Sequence, residues 1–225
     1  MILKDKVVVI TGGTKGLGKS LSECLALRKN IIVVTGRSIS RNFTDKQTKI
    51  LSIKADVTNE CDIKKLANLT VKTFGRIDIW INNAGIWLPH APIEQLDIKK
   101  VHYMIEVNLF GTIYGSKYAL IQMKKQKKGT IVNILSSSAL KGSAGSSAYC
   151  ASKFAASGFT KSLRLEVEKN NIKVISVYTR GIKTNLFDEQ KPVQYKNFME
   201  PIYVSKKIIS NLEATNPEDD LIIKS

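Results

Sequence analysis

Short apolar runs alternate with amphipathic stretches from one end of this 225-residue chain to the other. Strands joined by crossover helices produce that alternation, and it restricts the chain to a parallel sheet. The runs expected as strands are Val7 to Ile10, Ile31 to Val34, Ile50 to Ile53, Ile77 to Ile81, Thr130 to Leu135, Ile172 to Val177 and Leu221 to Ile223. Helices are expected at about Gly16 to Lys29, Glu60 to Phe74, Ile98 to Met123, Tyr149 to Glu168 and Val204 to Leu212. The strands are continuously apolar, so helices cover both faces of the sheet. The fold class is therefore α/β, a doubly wound parallel sheet of about seven strands. No repeat or low-complexity linker interrupts the pattern, and residues 1–225 read as a single domain.

Composition excludes several function classes. Apolar residues make up 43% and charged residues 24%, which is neither a disordered nor a collagen-like balance. No apolar run approaches the roughly 18 residues that cross a bilayer, so no membrane association is expected. The N-terminus enters its first strand at once, and no signal peptide is expected. Cys24, Cys61 and Cys150 stand far apart and odd in number, which reads as reduced, buried or semi-buried thiols in a cytoplasm. His90 and His102 have no partner at metal-ligand spacing, and no metal is expected. The net charge of +16 raises the possibility of a nucleic-acid partner. Its distribution points elsewhere, because the densest cluster, Lys124 to Lys128, closes a helix where cations complement the negative end of the dipole. No nucleic-acid partner is expected.

Between the first strand and the first helix lies Thr11-Gly12-Gly13-Thr14-Lys15-Gly16-Leu17-Gly18. Glycines let a backbone turn sharply and approach a pyrophosphate, which free N–H groups at the helix N-terminus then hold. The second strand runs into Thr35-Gly36-Arg37-Ser38 and carries no acid where one would bond the ribose hydroxyls of NAD. Arg37 can fork onto a 2′-phosphate and Lys15 can add a second charge, which favours NADP(H); both can also be ordinary surface cations. Further on, Tyr149-Cys150-Ala151-Ser152-Lys153 places a phenol and an ammonium on one helical face. An adjacent ammonium favours the tyrosinate, and lowering a phenol by about 3 units takes roughly 4 kcal/mol, much of which Lys153 is placed to supply.

The glycine turn, Asn82-Asn83-Ala84-Gly85 and the Tyr-Lys pair together resemble the short-chain dehydrogenase/reductase family over nearly the whole chain. The resemblance implies a Rossmann-type sheet in the order 3-2-1-4-5-6-7. It implies a cofactor site of Gly12, Thr14, Lys15, Gly16, Leu17, Gly18, Arg37, Asp56, Val57, Asn83, Ala84, Gly85, Tyr149, Lys153 and Thr184. Asp56 would meet the adenine amino group and Thr184 the nicotinamide amide. Tyr149 would exchange the proton with the substrate oxygen, and Lys153 would also hold the nicotinamide ribose. Ser136, thirteen residues before Tyr149, has the spacing of the serine that bonds the substrate carbonyl, although Ser137 and Ser138 stand beside it. Asn108 matches the asparagine whose backbone holds a water in a proton relay to the lysine.

The chain departs from the family pattern twice. Thr179-Arg180-Gly181 replaces the usual Pro-Gly after the sixth strand; the readings are that Arg180 binds an anionic substrate or the cofactor's pyrophosphate, that it points to solvent, or that the change weakens turnover. About a dozen residues separate Arg37 from the third strand, so the helix expected there is shortened or missing.

Trp87, Leu88, Leu140, Phe187 and Phe198 follow strand C-termini and are candidate pocket walls, or else core. Residues 185–201 suit a lid over the substrate. The resemblance further implies a homodimer or homotetramer. The expected partner is a small carbonyl or alcohol, with NADP(H) as cofactor. The rival readings are a catalytically weak dinucleotide-binding sensor or scaffold and, on net charge alone, a nucleic-acid binder.

Overall fold

A computed structural model describes residues 1–37, 39, 43–45 and 50–224. Its core is one sheet in the order β3-β4-β2-β1-β5-β6-β7-β8. These are β1 (Val7–Thr11), β2 (Ile31–Gly36), β3 (Phe43–Asp45), β4 (Ile50–Lys54), β5 (Ile79–Asn82), β6 (Gly129–Ile134), β7 (Ile172–Thr179) and β8 (Asp220–Ile223). Apart from β3, all are parallel, and they stand in the expected order 3-2-1-4-5-6-7. The addition is β3, which pairs antiparallel with the outer edge of β4. It lies in the short stretch after Arg37 where a shortened or missing helix was expected. Ser38 and most of that stretch fall outside the described residues.

Helices α1 (Gly16–Ala26) and α6 (Pro201–Glu213) cover one face. There Leu17, Leu21, Leu25, Ile208 and Leu212 pack on Val8, Ile10 and Ile32. Helices α2 (Glu60–Phe74), α4 (Gly111–Gln126) and α5 (Ser147–Glu166) cover the other, where Ile63, Leu66, Met123 and Leu163 pack on Val9, Val33 and Ile131. Double coverage explains the continuous apolar strands: every residue of β1 and of β5 is buried. Among the described residues, no helix is long and apolar enough to cross a membrane.

Helix ends follow local chemistry. Asn59 caps α2 by accepting from the Asp62 N–H at 3.2 Å, and Gly75 ends it at φ 76°. The lysine cluster closes α4, with Lys127 in the left-handed cap at φ 56°. Cys24 and Cys150 are buried, whereas Cys61 is exposed near the start of α2, where its side chain faces away from the sheet.

The long helix expected from Ile98 is not regular. It runs as α3 (Ile98–Ile105), widens into one π-turn at Glu106–Phe110, and resumes as α4. Such wide turns insert an extra residue and re-aim the side chains around them. Here the re-aimed residue is Asn108.

A polar network crosses the second face. Asn82 at the end of β5 accepts from Trp80 Nε1 at 2.7 Å and donates to Asn133 Oδ1 at 2.8 Å and Ser116 Oγ at 3.0 Å. Asn133 in turn donates to Thr160 Oγ1 at 2.9 Å. These bonds join β5, β6, α4 and α5, and no buried side-chain polar atom lacks a partner among the described residues. Gly115 lets α4 approach this closely, since a Cβ there would overlap Asn82 Oδ1 and lie 2.6 Å from Trp80 Nε1. Gly115→Ala should therefore cost about 1–3 kcal/mol, the range for overpacking a close-fitted interior. Urea unfolding checks this, and an unchanged midpoint would mean that α4 steps back from β5 without loss.

Candidate active site

The turn between β1 and α1 takes its shape from two left-handed glycines, Gly12 at φ 63° and Gly16 at φ 50°. The Asn83 side chain braces it, donating to the Thr11 carbonyl at 2.9 Å and the Gly12 carbonyl at 3.1 Å. Thr11 Oγ1 returns the contact, accepting from the Asn83 and Ala84 N–H groups at 3.0 and 3.1 Å. The first turn of α1 has no side-chain cap and no acidic residue, so its N–H groups and dipole face the cleft unneutralised. Gly18 has a different task from the one expected. It does not line the cleft; a Cβ there would overlap the Gly12 carbonyl oxygen and lie 2.5 Å from Asn83 Nδ2, so it seats α1 against the turn.

A cleft of about 780 Å³ runs along the C-terminal ends of the strands. Its walls include Gly12, Thr14, Lys15, Gly16 and Leu17 from the turn, Arg37 after β2, and Asp56 and Val57 after β4. Asn83, Ala84 and Gly85 from the loop after β5, with Thr184 beyond β7, complete that half. Asp56 Oδ1 accepts from the Thr58 N–H and hydroxyl, both at 2.9 Å, which fixes its carboxylate. Lys15 is exposed and Arg37 bonds the Tyr103 hydroxyl from α3, its guanidinium 5.7 Å from the ring centre. No sequence pattern linked Arg37 to Tyr103, because the contact joins positions 66 residues apart.

The other half of the cleft is aromatic. Trp87, Leu88, Phe187 and Phe198 line it as expected, with ring centres 5.1 Å apart for Trp87–Phe187 and 5.2 Å for Phe187–Phe198. Tyr195 joins the cluster 5.4 Å from Phe198. Leu140 does not take part: it follows a short turn of helix after β6 and its side chain faces outward, 46% exposed. Eight residues between Asn185 and Phe198 border the cleft, and Glu189 reaches across to Lys100 at 3.1 Å.

Ser136 ends the loop after β6, while Tyr149 and Lys153 stand on the first turns of α5, all three on the cleft wall. Ser136 Oγ accepts from the Ser138 N–H at 3.1 Å, which distinguishes it from its two serine neighbours. Lys153 is 6% exposed, donates to the Ile134 carbonyl at 3.3 Å, and lies 6.0 Å from the centre of the Tyr149 ring. The expectation that this ammonium lowers the phenol is not met by the pair itself. Tyr149 keeps an edge open to the cleft, yet the protein around it shields the ring. Desolvation pushes the phenol up to about 12, against a smaller downward pull from its hydrogen bond with Ser136. Burial pushes Lys153 down to about 8 for the same reason.

Asn108, expected beside the proton relay, does not line the cleft. Its side chain donates to the Ile86 carbonyl at 2.9 Å and Ser152 Oγ at 3.0 Å and accepts from the Ile86 N–H at 2.9 Å. It thus clamps the loop after β5 to α5 from behind. Its backbone carbonyl accepts from Thr112 Oγ1 at 2.9 Å.

A family model described as short chain dehydrogenase matches residues 6–194. An uncharacterized oxidoreductase of Staphylococcus saprophyticus is 36% identical over 191 residues, 82% of this chain and 81% of that protein. A 3-oxoacyl-acyl-carrier-protein reductase of Buchnera aphidicola is 35% identical over 202 residues, 88% of this chain and 82% of that protein. Among solved structures, ElxO with NADP bound is similar at a TM-score of 0.85 and 28% identity, covering 97% of each chain.

The buried ammonium has a consequence for stability. A base whose folded pKa lies below its unfolded value of 10.5 costs the fold stability below about 8, and the loss is recovered as the pH rises between those values. Lys153→Met should therefore stabilise the protein at neutral pH, without added cofactor, by on the order of 3 kcal/mol. That advantage should fade above pH 8. Thermal unfolding across pH measures it, and a variant no more stable than wild type at neutral pH would mean that the charge is solvated in the fold.

Proposed function

The chain belongs to the short-chain dehydrogenase family, and from that membership we propose its reaction. It is an oxidoreductase of that type that uses NADP(H) to reduce small aldehydes and ketones, in reverse oxidising secondary alcohols, with Tyr149 as the acid and base. The observation that carries this reading is one continuous cleft with an anion cradle at one end and Ser136, Tyr149 and Lys153 at the other.

The residues present fit a dinucleotide. The glycine turn leaves room for a diphosphate close to the backbone, and the uncapped start of α1 supplies donors and a favourable dipole. Asp56 suits the adenine amino group and Thr184, packed against Gly16, the nicotinamide amide. Lys15 and Arg37, with no acid ending β2, favour a 2′-phosphate. NADP in the similar ElxO structure agrees with that preference.

When bound, NADPH supplies a hydride, two electrons and one hydrogen, to the carbonyl carbon. This chain supplies the proton. A phenol held near 12 is fully protonated at neutral pH, so Tyr149 arrives as a donor and passes its proton to the carbonyl oxygen as charge develops there. The Ser136 oxygen is held by the Ser138 N–H and its hydroxyl bonds Tyr149, which places the two hydroxyls side by side to meet the same carbonyl oxygen. Lys153, near 8, carries a proton at neutral pH, would hold the nicotinamide ribose, and stabilises the tyrosinate left by the transfer until its own proton passes to that oxygen. Asn108 acts as a positioning residue that keeps the loop after β5 and the first turns of α5 in register. Residues 185–201 form the lid that excludes water from the aromatic half.

Binding of NADPH against NADH, followed by oxidation with a panel of carbonyl compounds, tests the reading. Tyr149→Phe should abolish turnover while NADPH affinity stays within about twofold, since it removes a proton and little contact area. Near-normal turnover would remove Tyr149 from its role. Arg37→Glu should turn the preference toward NADH, and an unchanged preference would mean that Arg37 does not read the phosphate.

A further inference from the structure

Arg180 is the first residue beyond β7, and its backbone is held from both sides. Thr179 pairs with Ile223 of β8, while the Gly181 carbonyl accepts from the Met199 N–H at 3.0 Å. The side chain, by contrast, is exposed on the cleft wall and has no hydrogen-bond or ion-pair partner among the described residues. Three acids that follow it in the chain have partners of their own. Glu189 pairs with Lys100 at 3.1 Å, Asp188 accepts from Asn185 at 2.9 Å, and Glu200 pairs with Lys183 at 2.6 Å. The other cations near the reacting end are also engaged: Lys153 with the Ile134 carbonyl and Lys100 with Glu189.

Arg180 also lies at the reacting end. The Leu135 N–H donates to the Val177 carbonyl, so the end of β7 runs beside the segment that carries Ser136. The groups placed for the cofactor's phosphates, Lys15, Arg37 and the start of α1, come from other elements. The same cleft is lined by the rings of Trp87, Phe187 and Phe198. A free guanidinium and an aromatic wall in one cleft match one substrate chemistry: a planar anion at one end and an apolar body at the other.

Resting on the reductase reading above, we propose that Arg180 is a specificity residue that binds a substrate carboxylate, which makes the enzyme a reductase of oxo acids with an apolar arm. The guanidinium fork grips both carboxylate oxygens and aligns the nearby carbonyl with Ser136 and Tyr149. The carboxylate takes no part in the electron balance. Hydride reaches the carbonyl carbon and the Tyr149 proton its oxygen, giving a hydroxy acid.

The test compares charged and neutral substrates of one shape: benzoylformate with its methyl ester, and benzoylacetate with its methyl ester. For at least one pair, wild-type kcat/KM should favour the acid by about tenfold or more, the range for a charge-assisted bond. Arg180→Gln should erase that preference, leaving the ester rate and the NADPH Kd, read by fluorescence, nearly unchanged. Arg180→Lys should recover only part of it, because an ammonium lacks the fork. Equal rates for acid and ester in both pairs, or a preference that survives Arg180→Gln, would overturn the assignment. So would a raised NADPH Kd with equal losses on acid and ester, which would make Arg180 a cofactor residue. If wild type binds NADPH but reduces neither these four compounds nor neutral aldehydes, the reductase reading itself fails and takes this one with it.

Discussion

Two consecutive asparagines at the C-terminal end of β5 hold the two halves of this molecule in register. Successive strand residues face opposite sides of a sheet, and Asn82 and Asn83 use both. Asn82 turns toward α4 and α5 and closes the network of Trp80, Ser116 and Asn133. Asn83 turns the other way and fixes the glycine turn ahead of α1 through two backbone carbonyls. Each amide is placed where loss of one partner would leave several buried groups unpaired, so the cost of displacement is shared across elements. The glycine turn and α5 are thereby referred to one short strand.

The same burial that secures the fold sets the starting charges of the site. A phenol and an ammonium share a shielded corner, and desolvation moves each toward its neutral form. Tyr149 is thereby kept protonated, as the proposed proton transfer to a carbonyl requires, and Lys153 is left close to neutrality, where proton exchange is easy. Support comes from behind: the π-turn at Glu106–Phe110 aims Asn108 at Ile86 and Ser152, three residues after Tyr149 on the same helix.

How much of this could be read beforehand depended on the range of the interaction. Strands β1 and β5, the glycine turn and the Tyr149–Lys153 spacing are local patterns, and they read correctly from residue order. The desolvation of Tyr149 did not, because spacing reports which groups are neighbours and says nothing about how much water they lose. Leu140 was misread for a related reason, since following a strand end does not decide which way a side chain turns. Gly18 and Asn108, expected as site residues, stand one layer behind the cleft, a distinction that appears only when α1 and the π-turn are in place. The pairing of Arg37 with Tyr103 and the antiparallel β3 carry no local signature at all.

The replacement of the family's Pro-Gly by Thr179-Arg180-Gly181 shows how a departure can be tolerated without loosening the site. Proline stiffens a turn by fixing one backbone angle. Here the stiffness comes from pairing instead: β7 extends through Thr179 along β8, and Gly181 and Lys183 bond Met199 on the returning segment. Gly181 is required for that return, because a Cβ would run into the Phe198 ring that forms the pocket wall. With the backbone held by hydrogen bonds on either side, position 180 carries no structural duty of its own. Its side chain is exposed on the cleft wall, so a guanidinium there adds positive charge to the cleft without entering the packing of the turn.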